Sequence, residues 1–362
     1  MLHWCMFASA VAGGRGDSEP HGSVPNVPRY DRITNRYVRR WRKTAVPRDF
    51  YVQPHAPDPV LSDDVILSLA RRHVPDAHSV TGVDESGGEA RTYALGDTWI
   101  LKTQRPQQLR PRTSLEKEVF FLQQLATQAP ELSVPRVLGH GRERITHGAL
   151  DGITVEYTVM TRMPGVAMRH AVLEDGARRE VLLRLGAVLR RIHSVPVEPF
   201  VDSDLFPGDL SFVDTQIRFG AYIHDMADKI HAEQRPWRLP LTPEQVGAKA
   251  LASLPRSSER VALHSNPYLE HVFVHPENGV YSGLIDFGDA YISHPAFDMR
   301  RWNRPADREA LLQGYTSEQP VSDAFLATWH AVMILGDMAT IASYPERAAE
   351  AEEDLLALLA QL

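Results

Sequence analysis

Apolar positions fall into regular periods only beyond residue 60. Leu61-Ser62-Asp63-Asp64 caps a predicted helix carrying Val65, Ile66, Leu69 and Ala70. Ser86-Gly87-Gly88 marks a Gly-rich turn, and residues 98–103, Thr-Trp-Ile-Leu-Lys-Thr, alternate as a strand does. Thr113 and Glu116 have capping-box spacing, and Leu115, Val119, Leu122 and Leu125 continue as one helix face. A second strand-like run, 155–160, leads into Met163-Pro164-Gly165. The first half therefore predicts strands around one helix. The second half is mostly helical. Val181, Leu182, Leu185, Leu189 and Ile192 have helical spacing, as do Phe325, Trp329, Val332, Leu335 and Met338 ahead of an acidic, Leu-rich final helix. Residues 197–256 form a polar, proline-punctuated stretch with helical pieces.

Residues 1–60 lack any period. Glycine and proline interrupt them, and Arg29–Arg48 holds eight basic residues and one acidic, with Tyr30, Tyr37 and Trp41 interleaved. This reads as a solvated, partly disordered extension rather than a nucleic-acid arm. The organisation expected is an extension at 1–60, a sheet lobe at 61–163 and a helical lobe at 164–362. Composition is that of an ordinary globular protein, 43% apolar and 23% charged over 362 residues, which excludes a wholly disordered chain. A net charge of −7 gives no global basic field, so no nucleic-acid partner is expected. Cys5 is the only cysteine, so an internal disulfide is ruled out and a reducing, cytoplasmic setting fits. No apolar run approaches the roughly 20 residues of a membrane helix, and the N-terminus is a poorly formed secretory signal without a basic lead.

Chemistry gathers at one predicted hairpin. Val272–Val274 and residues 281–285 pair across a loop containing Asn278-Gly279. The loop before the first strand and the residue after the second then meet at one end. His264, Asn266, Glu270, His271, Asp286 and Asp289 collect there. Such a cluster serves a metal or anion site, or a structural capping network. Upstream, Lys102 shares a strand face with Ile100, in a chain holding only five lysines. Glu118 lies on an apolar helix face and needs a cation, for which Lys102 is the candidate; Glu116 fits the cap and Lys117 points away.

These motifs resemble the aminoglycoside phosphotransferase family, within the protein-kinase-like superfamily. The family's catalytic loop reads His-Gly-Asp, then five residues on Asn, then an apolar strand; here it reads His264-Ser265-Asn266 through His271, then Val-Phe-Val. The family's metal motif matches Asp286-Phe287-Gly288, its later Pro-Ala-x-Asp matches Pro295–Asp298, and its lysine strand matches Ile100-Leu101-Lys102. The resemblance spans residues 80–345 and is most specific over 261–298.

The resemblance implies an α+β, bilobal protein-kinase-like fold, with ATP between a small β-rich N-lobe and a larger helical C-lobe. Lys102 would hold phosphates and Glu118 would position Lys102. Gly87 and Gly88 would cover the phosphates, while Met160, Thr161 and Met163 would form the hinge that reads adenine. Asp286 would hold Mg2+. Asp298 would support the loop from beneath, with His264 organising it. Three departures stand out: Asn266 replaces the catalytic aspartate, His271 the metal-binding asparagine, and Ser265 the glycine. Asn266 can hydrogen-bond a hydroxyl but cannot take its proton. His271 is a poor magnesium ligand that suits Mn2+ better, and Glu270 offers an alternative oxygen. The function implied is ATP-dependent transfer of the γ-phosphate to a hydroxyl of a small molecule. The alternative is a catalytically impaired kinase-like protein that binds nucleotide or a small ligand without turnover. A metal-dependent hydrolase using His264, His271 and Asp286 would explain the ligands but not the lobes. Residues 197–256 would shape the acceptor pocket. Their carboxylates, Asp202, Asp204, Asp209, Asp214, Asp225 and Asp228, read as solvated surface.

Overall fold

The structure is a computed structural model that describes residues 60–85, 89–105, 114–146, 151–302 and 304–362. The N-terminal extension, the Gly87-Gly88 turn and Thr113 of the expected capping box lie outside the described residues.

The first periodic segment forms α1 (Asp63–Arg71), with Asp63 and Asp64 in its first turn and Arg71 in its last, as the helix dipole favours. Its apolar face, Ile66, Leu67, Leu69 and Ala70, covers one side of an antiparallel sheet. That sheet comprises β1 (Gly82–Asp84), β2 (Ala90–Leu95), β3 (Trp99–Gln104), β4 (Val137–Arg144) and β5 (Thr154–Thr161), in the order β1-β2-β3-β5-β4. Tyr93, Leu101, Val155, Tyr157 and Val159 point toward α1 and form the N-lobe core with it. α2 (Leu115–Gln128) joins β3 to β4 on the opposite side; Ser114 caps it, its hydroxyl accepting from Lys117 N at 3.0 Å. Lys102 therefore sits on the central strand of the sheet rather than at an edge.

Beyond the short hinge come β6 (Val166–Ala167) and the long helix α3 (Asp175–His193). The stretch 197–256 contains α4 (Glu198–Val201), α5 (Phe212–Ala232) and α6 (Pro243–Ala252). Both α5 and α6 open in capping boxes, Ser211 with Asp214 and Thr242 with Gln245. Then follow β7 (Val261–Leu263), β8 (Val272–Val274), β9 (Tyr281–Leu284) and β10 (Tyr291–Ser293). β8 and β9 form the expected hairpin, with Gly279 at φ +68° in its turn. β6 extends that hairpin, while β7 and β10 pair separately. Helices α7 (Pro305–Tyr315), α8 (Asp323–Ser343) and α9 (Ala348–Leu359) complete the lobe. α3 and α7 approach until backbones touch; a side chain at Gly186 would strike Leu311 O, and one at Gly314 would strike Leu183 O.

Two expectations are corrected here. α8 is long and apolar enough to span a membrane, contrary to the reading that no run approaches that length; 67% of its apolar window is buried inside the protein, as in a core helix. Asp209 is not solvated surface. It is fully buried, receives Arg218 Nε at 2.8 and 2.7 Å and Ser293 Oγ at 2.5 Å, and its neighbour Gly208 bridges to Ile292 of β10. This buried pair fixes the root of the 197–256 segment to the strand that follows the Asp286 motif.

Candidate active site

Asp298 is fully buried beneath the 264–271 loop. Its carboxylate receives His264 N at 2.8 Å, Ser265 N at 2.6 Å and His193 Nε2 at 2.9 Å. Burial alone would raise this carboxyl, but the His193 hydrogen bond and charge outweigh it and hold it below the usual range. His193 Nδ1 accepts from Tyr315 Oη at 2.9 Å, tying the network to α7. Nothing in the local sequence pattern singles out Tyr315. Ser265 stands at φ +82°, in the left-handed region that a glycine adopts freely.

His264 has no open nitrogen. Nε2 donates to Ile285 O at 2.8 Å, and Nδ1 accepts from Asn266 N at 3.3 Å. Burial pushes its pKa down to about 4, so the ring is neutral. These two bonds organise the 264–271 loop, as expected, and tie it to the strand that ends at Asp286. The same contacts remove it from any hydrolase-type metal site.

Lys102 and Glu118 meet across the N-lobe. Lys102 Nζ donates to Glu118 Oε1 at 2.8 Å and Oε2 at 3.0 Å, with both residues buried. Burial alone would favour the neutral amine; the charge of Glu118, then that of Asp286, outweighs it and holds Lys102 above its ordinary value. The Phe287 backbone lies close enough to favour the charged form of Glu118, so α2, β3 and the Asp286 motif converge on one carboxylate. Lys117, expected to point away, is buried, and its Nζ donates to Ala290 O at 3.0 Å. It fastens α2 to the chain just after the motif. Phe121 reinforces this, its ring centroid 5.0 Å from Phe287 and 4.9 Å from Phe200.

Asp286 takes φ +70°, a strained conformation of the kind that concentrates at functional sites. Its side chain is 44% exposed, and Oδ2 lies 3.1 Å from His271 Nε2. His271 Nδ1 donates to the Asn266 carbonyl at 2.8 Å, which orients the ring. Its partial removal from water would raise the Asp286 carboxyl; His271, then Lys102, outweigh that and hold it far below the carboxylate range. Burial would lower His271; Asp286 and the Asn266 carbonyl hold it above the histidine range. Glu270 does not complete a three-ligand cluster, since no group of three or more His, Cys, Asp or Glu able to hold a metal occurs among the described residues. A carboxylate and an imidazole side by side fit an ion that takes its remaining ligands from phosphates and water. The Asn266 side-chain oxygen is buried with no hydrogen-bond partner among the described residues.

The three residues expected at the hinge differ in what their backbones do. Met160 is fully buried, and its backbone pairs within the sheet with Ile100 on one side and Val137 on the other, which makes it a core residue. Thr161 N donates to Arg136 O at 2.9 Å and Arg162 N to Thr98 O at 2.8 Å. Met163 forms no backbone hydrogen bond among the described residues, and its side chain lies against Gly283 of β9. Of the three hinge residues named from the sequence, it alone keeps free backbone groups at the junction of the lobes.

Residues 81–325, more than half of the chain, match the profile of the phosphotransferase enzyme family. The chain belongs to that family. Solved structures share its fold at low identity. Macrolide 2'-phosphotransferase MphH from Brachybacterium faecium, an apoenzyme, is 18% identical with a TM-score of 0.50, over 82% of this chain and 97% of that one. The GDP complex of wild-type aminoglycoside 2'-phosphotransferase-IIIa is 15% identical with a TM-score of 0.55, over 83% and 98%. ADP-bound aminoglycoside phosphotransferase APH(2'')-Ib is 15% identical with a TM-score of 0.52, over 83% and 97%. No curated protein sequence matches the chain. This phosphotransferase-family chain thus has the kinase-like arrangement of a sheet lobe and a helical lobe.

Proposed function

We propose that this chain transfers the γ-phosphoryl group of ATP to a hydroxyl of a small molecule. The observation that carries the proposal is the buried Lys102–Glu118 pair, held within electrostatic reach of Asp286. A charged lysine kept in a cleft by a carboxylate is suited to binding phosphate oxygens. Met163 offers backbone groups for the base. A divalent ion held by Asp286, with His271 beside it, would offset charge on the β- and γ-phosphates. Asn266 supplies the acceptor, its side-chain oxygen receiving the hydrogen bond of the incoming hydroxyl. The hydroxyl oxygen bonds to the γ-phosphorus as the bond to the β–γ bridging oxygen breaks, and ADP leaves with that electron pair. The hydroxyl proton passes to the transferred phosphoryl group or to water, because an amide cannot keep it. Such transfer depends mainly on positioning and charge stabilisation. The missing base costs about 10²–10⁴-fold in rate.

Relatives crystallised with aminoglycosides, and the macrolide enzymes of this fold, make those two classes the first acceptors to try. Calorimetry of ATP with and without Mg2+, beside ADP release over aminoglycoside and macrolide panels, tests the proposal. Binding with slow, acceptor-dependent ADP release is the expected result. Absence of ATP binding under all conditions would exclude it.

A further inference from the structure

One cavity among the described residues is lined by none of the residues placed above at the nucleotide cleft. It has a volume of about 430 Å³, within the range of sites that hold small molecules. One wall is the outer stripe of α2, Glu116, Val119, Phe120 and Gln123, at the i, i+3, i+4, i+7 spacing of one helix face. The other wall is β4, the edge strand of the sheet. A register shift there leaves Leu138 39% exposed. Leu205, from the C-lobe, closes one end.

The charges at this cavity select its occupant. Glu116 is the one carboxylate among the described lining residues, with a side chain 45% exposed. Among the described residues the basic group paired with it is Arg142, whose Nη2 is 3.9 Å away, too far for a hydrogen bond, and lies closer to Glu156 at 3.3 Å. The lining His140 ring is likewise held by Glu156, at 3.2 Å. A carboxylate, an aromatic ring and aliphatic walls suit a cation with an apolar body.

We infer that this cavity binds a small organic amine, its ammonium toward Glu116 and its apolar body against Phe120, Val119 and Leu138. Occupancy is coupled to the cleft. Glu118, which holds Lys102, projects from the other side of the same helix. An amine filling the outer cavity braces α2 in the position that forms the Lys102–Glu118 pair, so it strengthens phosphate binding. Only this coupling rests on the nucleotide reading; the site itself does not.

Phenethylamine is the probe and phenylacetate its control of similar size and opposite charge. Calorimetry on the full chain without nucleotide should show phenethylamine binding about tenfold tighter than phenylacetate. Glu116→Gln should remove that preference. Leu138→Trp, on the exposed edge, should fill the cavity and abolish binding, with circular dichroism checking its fold; Val119→Trp is the second filling variant. Equal affinity for the two probes, or undiminished binding by both filled variants, would overturn the site. Saturating phenethylamine should tighten ATP binding about threefold or more, with ATP tightening the amine by the same factor. ATP affinity unmoved by a bound amine would overturn the coupling. Absence of ATP binding altogether would defeat the nucleotide reading and its coupling, and leave the amine result standing.

Discussion

His271 Nε2 lies 3.1 Å from Asp286 Oδ2, while its other nitrogen donates to the Asn266 carbonyl. Two side chains that depart from, and keep to, the family pattern are thereby locked to one another. Donors about 2.1 Å from a common six-coordinate ion sit about 3 Å apart, so this spacing is compatible with both binding one ion. An imidazole nitrogen in place of an amide oxygen shifts preference toward softer ions. Mn2+ should bind the nucleotide-loaded protein more tightly than Mg2+, as read by electron paramagnetic resonance. His271→Asn should narrow or reverse that difference. Identical Mg2+ and Mn2+ affinities in the parent protein would remove His271 from the ion's ligands.

Lys102→Ala should weaken ATP binding by at least about tenfold, the loss of one charge-assisted contact. Glu118→Gln should lose less, because it acts through the placement of Lys102. Binding of ATP by calorimetry measures both. An equal or larger loss in Glu118→Gln would mean that the carboxylate chiefly holds α2 to the chain around Phe287, whose backbone lies beside it.

Much of this site was legible in the sequence because its parts are adjacent or hairpin-related. Asn278-Gly279 sets the β8–β9 turn, and the turn brings the 264–271 loop to Asp286. The Lys102–Glu118 pair was legible because a carboxylate on an apolar helix face requires a cation. Contacts set by tertiary packing were not. Lys117 reads as a surface residue until α2 meets Ala290. Asp209 looks like one of several solvated acids until Arg218 turns back onto it. β4, with Gly139, Gly141 and four charged or histidine residues, lacks the apolar alternation of a strand; its pairing with β5 supplies the order. The apolar run of α8 is broken in the sequence by Asp337, which the fold buries.

Ser265 holds φ +82° against the preference of any residue with a Cβ. Its N–H is bound to Asp298, so the loop cannot relax without losing that bond. Ser265→Gly should stabilise the protein by about 0.5–1 kcal/mol, the left-handed penalty less the added freedom of the unfolded chain. Urea denaturation measures it. A destabilised variant would show that the serine side chain contributes more than its strain costs.

His294 is 1% exposed, and burial, then Arg260 and His193, depress its pKa to about 3. The folded protein keeps this ring neutral, whereas the unfolded chain takes up a proton near the ordinary pKa of about 6.5. Its contribution is therefore complete above about pH 6.5 and declines as pH falls toward 3, by at most about 1.4 kcal/mol per pH unit. His294→Asn retains a side-chain acceptor for Ala296 N and cannot titrate. The stability difference between parent and variant should shift in the variant's favour as pH falls from 6.5 to 4, measured by denaturant titration at each pH. A difference independent of pH would mean that the ring reaches solvent and protonates in the folded state.

Asn266 is the position most at odds with its family, and its surroundings make the substitution to aspartate unusually clean. The contact with His271 runs through the backbone carbonyl, so Asn266→Asp leaves that anchor in place. The side-chain oxygen has no protein partner to lose. A carboxylate there can accept the acceptor's proton in the transition state, while it touches the nucleotide little. The rate should rise by about 10²-fold, the lower part of the general-base range, with ATP affinity nearly unchanged. Asn266→Ala should lower the rate instead, since it removes the hydroxyl's only proposed acceptor. Steady-state kinetics with a fixed acceptor separates these outcomes. A rate that falls in Asn266→Asp as well would mean that the amide, through its N–H₂ as much as its oxygen, positions the reacting groups, and that a second carboxylate beside Asp286 repels the phosphates it was meant to help.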